Sequence, residues 1–227
     1  NKFDICRDEW GLSVDACMKN YLADVWSLDL AIGRLLKKLD QLGISENTIV
    51  VFSSDQGPAR NTLNTSKANQ VGDTTRANMM GWPKGLRGGK HEMYEGGVRI
   101  PFIVRWPGKV PAGRKSDAVF ATIDFMPTFA KLCGFKAPGD RVIDGIDQTA
   151  LLMGKSQKGR ETFYFDRAGI RKGRWKYLKA KAHFYGYARE DNRPVVEELY
   201  DLEKDIGETS NLAKKHPEIV AELRNLT

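Results

Sequence analysis

Two stretches of this sequence bring together residue types able to hold a hard cation or an oxyanion. The first is Ile49-Val50-Val51-Phe52-Ser53-Ser54-Asp55-Gln56-Gly57. Asp55 and Gln56 set a carboxylate oxygen and an amide oxygen side by side, the donor types calcium prefers. The same pair is also what an Asx turn uses after a strand. The second stretch runs from Leu86 to Pro101, where Gly88-Gly89 and Gly96-Gly97 flank Lys90, His91, Glu92 and Glu95. Paired glycines let the backbone come close to a ligand and turn amides toward an anion. Lys90 supplies a compact, hydrated charge suited to a tetrahedral oxyanion. A solvated glycine-rich loop would have the same composition. His91 is either a proton donor or a side chain facing water, and Glu95 and Arg99 are spaced as a helical ion pair.

These residues need elements to position them. Four large apolar residues ahead of Ser53 read as a strand buried on both faces of a mainly parallel sheet. Ligands in such sheets gather beyond the carboxyl ends of strands, where Asp55 and Gln56 stand. A helix is expected from about 13 to 42, its stripe made by Tyr21, Val25, Leu28, Ile32, Leu35, Leu39 and Leu42, with Gly43 ending it. Asp24 and Asp29 flank the stripe and are read as solvated. Residues 58–85 read as a long polar loop, of which 59–84 lie outside the residues whose structure is described below. A second strand follows at 98–106, then a short helix from Asp124 to Cys133 closed by Gly134. Beyond a Gly- and Pro-rich connection, segments 161–166, 168–170, 175–179 and 195–201 read as a small antiparallel sheet, and 217–226 as a final helix. The expected organisation is an α/β unit over 1–150 and a small α+β unit over 151–227. Two buried strands are few for such a unit, so its other strands are expected on sequence outside these residues.

At 227 residues, with 41% hydrophobic and 29% charged, the composition is that of an ordinary globular domain. The net charge of +7 is interleaved with acidic residues rather than blocked. Neither a basic block nor an aromatic-basic repeat is present, so nucleic acid is not the expected partner. A basic surface suits an anionic substrate such as a sulfated or phosphorylated sugar. No apolar run is long enough to span a bilayer. Cys6, Cys17 and Cys133 are too few and scattered to suggest a disulfide framework. His183 and His216 have nothing beside them to suggest a site.

Taken together, Ile49–Gly57, Leu86–Lys90 and Tyr94–Pro101 resemble the formylglycine-dependent sulfatases of the alkaline phosphatase superfamily. The resemblance extends through Tyr21–Leu42, Arg105–Gly108, Asp124–Gly134 and Glu198–Asp205, with Glu208, Asn211 and Leu212. It implies an alkaline-phosphatase-like fold, a calcium ion held in part by Asp55 and Gln56, and a sulfate contact from Lys90, with His91 a candidate substrate contact beside it. The implied substrate is a sulfated small molecule or carbohydrate, and the implied compartment periplasmic, extracellular or lysosomal. The family's nucleophile is a formylglycine made from Cys or Ser in a Cys/Ser-x-Pro-x-Arg motif. No cysteine or serine here meets that rule, and the family's N-terminal aspartate pair and upstream histidine are also lacking. The chain therefore reads as the C-terminal portion of a sulfatase, with the nucleophile on preceding sequence and no activity expected alone. Two other readings stay open. One is a phosphohydrolase or phosphotransferase of the same superfamily, against which the lack of a His-rich metal motif speaks. The other is a non-catalytic carbohydrate-binding module.

Overall fold

The computed structural model describes residues 16–58, 85–90, 92–180 and 196–227, with side chains of the first helix from residue 22 onward. Helix α1 spans Ala16–Gln41. It ends as its sequence demands. Gly43 takes φ +67°, its N–H donates to Asp40 O, and the Ile44 N–H reaches back to Leu39 O. That pair of bonds is the Schellman closure, and it needs a residue tolerant of the left-handed region.

Strand β1 is Val50–Ser53 and β2 is Phe102–Arg105; Val50 lies opposite Arg105 and Ser53 opposite Phe102. The two strands are neighbours, as expected, but they pair antiparallel rather than parallel. The reason lies in the chain between them. The Gly57 N–H donates to Gly97 O at 2.8 Å, so the chain enters β2 at the end where it left β1. An apolar run specifies burial and carries no direction. Nor is the pair covered on both faces among the described residues, since Ile103 stands 61% exposed. Likewise α1 does not lie packed along the pair. Val25, Leu28, Leu35 and Leu42 of its stripe are exposed, and among the described side chains only Ile32 and Leu39 are half-buried. An ion pair from Arg105 to Asp40 and a hydrogen bond from Trp106 Nε1 to Glu46 O tie the helix end to β2.

Between β1 and β2 a single helical turn, α2, covers Glu95–Val98. After β2 come α3 (Phe125–Leu132) and α4 (Thr149–Leu152). Phe102, Phe120, Phe125 and Phe129 stack in a row with centroids 4.8–5.7 Å apart, which fastens α3 to β2.

The C-terminal elements follow the expected pattern. Strands β3 (Thr162–Tyr164), β4 (Gly169–Lys172), β5 (Trp175–Leu178) and β6 (Glu198–Asp201) form one antiparallel sheet in sequence order. Alternation divides its two faces. Ile170, Tyr177 and Leu199 pack against Val220 and Leu223 of α5 (Pro217–Asn225). Leu178 and Tyr200 turn the other way and form a core with Phe165, Leu202 and Tyr94 of the glycine-rich stretch. This sheet is therefore the backing of the segment that carries Lys90.

Candidate functional site

Strand β1 delivers Asp55 and Gln56 to its carboxyl end, where Asp55 is exposed and Gln56 half-buried. The Gln56 amide Nε2 donates to Asp55 Oδ2 at 3.0 Å, so the two side chains share one spot. That bond, reinforced by backbone N–H groups and by the charge of Lys90, holds the Asp55 carboxyl below its usual range. Two sequence-predicted residues far apart in the chain are thus brought together electrostatically. Asp55 also lines a cleft of about 360 Å³ with Ser53, Arg99, Phe102, Phe163 and Arg171. Gln56 and Lys90 lie outside that lining.

Lys90 is held by backbone, not by its side chain. Its N–H donates to Pro58 O at 2.9 Å, Glu92 N–H to Gly89 O at 2.9 Å, and Gly96 N–H to Arg87 O at 2.7 Å. Such crossings require bare backbone. A Cβ on Gly57 would sit 1.8 Å from Gly96 O, and one on Gly97 would sit 2.0 Å from Glu92 O. The four residues Gly57, Gly88, Gly89 and Gly96 are buried around a half-buried Lys90. Its ammonium makes no hydrogen bond or ion pair among the described residues. His91 lies outside the described residues.

The Glu95–Arg99 pair is present at 3.5 Å, and Asp24 and Asp29 are exposed, as expected. Sequence reasoning missed a polar layer behind the glycines. The Arg87 guanidinium lies 3.9 Å from the Tyr94 ring centroid and donates to Tyr200 Oη and Glu208 O. Tyr94 and Tyr200 both donate to Glu198, and burial together with that carboxylate pushes the Tyr200 hydroxyl far up. The signal was faint: acidic residues beside aromatics in Glu198–Tyr200 read as ordinary strand alternation.

Asp55 and Gln56 suit a hard cation by donor type, since both present oxygen ligands. They supply only part of the six to eight that calcium takes, and no cluster of three His, Cys, Asp or Glu able to hold a metal occurs among the described residues.

Comparison with known proteins decides the family. The sulfatase family profile matches residues 4–135, and that of the N-sulphoglucosamine sulphohydrolase C-terminal region matches 88–226. The chain belongs to the sulfatase family. An N-acetylgalactosamine-6-O-sulfatase of Bacteroides thetaiotaomicron is 37% identical over 210 residues, covering 89% of this chain and 40% of that protein. Human arylsulfatase A is 32% identical, covering 88% of this chain and 41% of its own length. This sulfatase chain thus spans about two fifths of these relatives. Among solved structures, a Bacteroides thetaiotaomicron protein described in the context of glycosaminoglycan metabolism superposes with a TM-score of 0.72 at 36% identity. It is covered over 42% of its chain, and this sulfatase chain over 88%. A second, described as a complex with its substrate D-glucosamine-2-N,6-O-disulfate, superposes at 0.65 with 29% identity, covering 92% of this chain and 39% of that one. The mixed α/β architecture is that of the alkaline-phosphatase-like sulfatase fold.

Proposed function

We propose that this chain is the part of a sulfuric ester hydrolase that receives the sulfate group of a sulfated carbohydrate. Lys90 is the sulfate contact, and Asp55 with Gln56 are two of the ligands of a calcium ion. The observation that carries this reading is the Lys90 ammonium, which makes no hydrogen bond or ion pair among the described residues and is fixed by glycine backbone within electrostatic reach of Asp55. Relatives described as acting on N-acetylgalactosamine-6-O-sulfate and on a disulfated glucosamine support the sulfated sugar as substrate class. Calcium, when bound, would neutralise negative charge on the sulfuryl oxygens. Asp55 would offer a carboxylate already ionised at neutral pH, and Gln56 would offer its amide oxygen on turning away from Asp55. Lys90 would meet the oxygens of the ester as charge builds on them, with buried glycine backbone around it. His91, next in sequence, is proposed as a further contact to the substrate. The attacking formylglycine is supplied by residues outside these 227.

The test is kinetic. In the full-length protein, Lys90→Ala is expected to lower kcat/KM for a sulfate ester by about a hundredfold, the cost of one preorganised donor in the transition state, roughly 3 kcal/mol. Thermal unfolding should change little. Arginine should restore little, because a planar fork does not replace a compact ammonium between glycines. Near-normal turnover by Lys90→Ala would remove the sulfate assignment. Faster turnover of a phosphate monoester than of its sulfate analogue would move the protein to the phosphohydrolase branch.

A further inference from the structure

An almost wholly buried charged cluster sits directly behind the Lys90 segment. Lys176, in the middle of β5, is 0% exposed. Its Nζ donates to Glu95 Oε1 at 3.0 Å and lies 2.9 Å from Glu208 Oε1. Glu208 is fully buried as well, and its other oxygen accepts the Glu95 N–H at 2.6 Å. Glu208 Oε1 has charge contact with Lys176 but no aligned hydrogen bond. Burial pushes the Glu208 carboxyl up, and the Lys176 charge offsets this only in part.

Such a triad is a poor source of stability. Desolvation offsets the attraction, and well-packed apolar replacements are often as stable. Glu208 is also held at φ +52°, the left-handed region that a residue with a Cβ occupies at a cost. Strain of that kind persists only where its surroundings over-determine it. Here they do. Asp205 accepts the N–H groups of Thr209 and Ser210 and fixes the turn that aims Glu208 inward. The target is Glu95, the first residue of α2. One residue on, the Gly96 N–H is tied to Arg87, and Gly97 O takes the Gly57 N–H beside Asp55. The triad therefore stands one and two residues from the crossings that set Lys90 against Asp55.

We propose that Lys176, with Glu208, is a positioning residue for the sulfate site. Their grip on Glu95 holds α2 and the glycine crossings in place, so the C-terminal sheet sets where Lys90 stands without touching substrate. This rests on the assignment of Lys90 to the sulfate ester.

The test is a double-mutant cycle in the full-length protein, with para-nitrophenyl sulfate as probe, well below the Tm of every variant. Lys176→Met is expected to lower kcat/KM about tenfold to a hundredfold per folded molecule, with both kcat and KM affected, because small misplacements of a positioning group carry losses of that order. In a Lys90→Ala background the same change should cost little, since nothing remains to be positioned. The surface variant Lys131→Ala should leave both constants unchanged. Equal losses from Lys176→Met in both backgrounds, or a lower Tm with unaltered kcat and KM, would overturn the positioning role. Failure of the Lys90 assignment is a separate result, visible as wild-type turnover in Lys90→Ala alone. If Lys176→Met does not fold, Glu208→Gln carries the same cycle, because it keeps the acceptor for the Glu95 N–H while removing the charge.

Discussion

Asp124 and Arg160 form a largely buried ion pair away from the site. Asp124 is fully buried, accepts the N–H groups of Ala121 and Ile146, and is gripped by both arms of Arg160. Burial works to raise its pKa, but Arg160 and those N–H groups outweigh it and hold the carboxyl below its ordinary range. A depressed carboxyl contributes stability that is present above its unfolded value, about 3.9, and lost as pH falls through the folded value. Unfolding of the wild type below about pH 4 should therefore be steeper than that of Asp124→Asn, as measured by urea titration across pH. Asp124→Ala leaves Arg160 buried without its partner and should cost about 3 kcal/mol at neutral pH. Gly57→Ala is expected to destabilise by about 1–3 kcal/mol through overpacking and to lower sulfate-ester turnover as well, because the displaced carbonyl belongs to the segment holding Lys90. At this scale Asp55, Gln56 and Lys90 stand out as candidates in the sequence because each breaks a local pattern: oxygen donors after an apolar run, a cation between glycine pairs. Lys176 does not. In Trp175-Lys176-Tyr177-Leu178 a lysine on alternate positions reads as the wet face of a strand, and its partners lie 81 residues away at Glu95 and late in the chain at Glu208.

The ends of helices were more legible than the directions of strands. Gly43 and Gly134 sit at positive φ beyond α1 and α3, where composition alone placed the stops. Gly43→Ala should cost about 1 kcal/mol, the penalty for a Cβ in the left-handed region, with little change in helix content by circular dichroism. The strands of the C-terminal sheet were readable because turn residues separate short β-branched and aromatic runs. The antiparallel pairing of β1 with β2 was not, for it depends on the Gly57–Gly97 contact, which no local pattern encodes. The stripe on α1 was read correctly as apolar, yet Val25, Leu28 and Leu35 stay exposed among the described residues. Periodicity identifies a face that wants covering and does not say what covers it.

For the molecule as a whole, that uncovered surface has measurable consequences. Val25, Leu28, Leu35 and Ile103 are each exposed, and exposed apolar side chains favour association when they gather into a patch. These 227 residues expressed by themselves should bind a hydrophobic dye strongly and associate as concentration rises, which light scattering would register. Calcium titrated into the same chain should bind weakly, because Asp55 and Gln56 fill a minority of the coordination shell. Submicromolar affinity by calorimetry would mean that further ligands lie within these residues. One feature reaches further, into the order of events as the protein is made. The contact between Glu95 and Glu208 joins positions 113 residues apart, and closing so long a loop is slow compared with local turns. A ribosome releases Lys90 well before the β6 strand and the Glu208 turn emerge. Until they do, the glycine stretch has no backing, and a nascent or prematurely terminated chain carries every residue of the stretch without its shape. On the proposed role of Lys90, competence for sulfate would thus wait until β6 and the Glu208 turn have emerged.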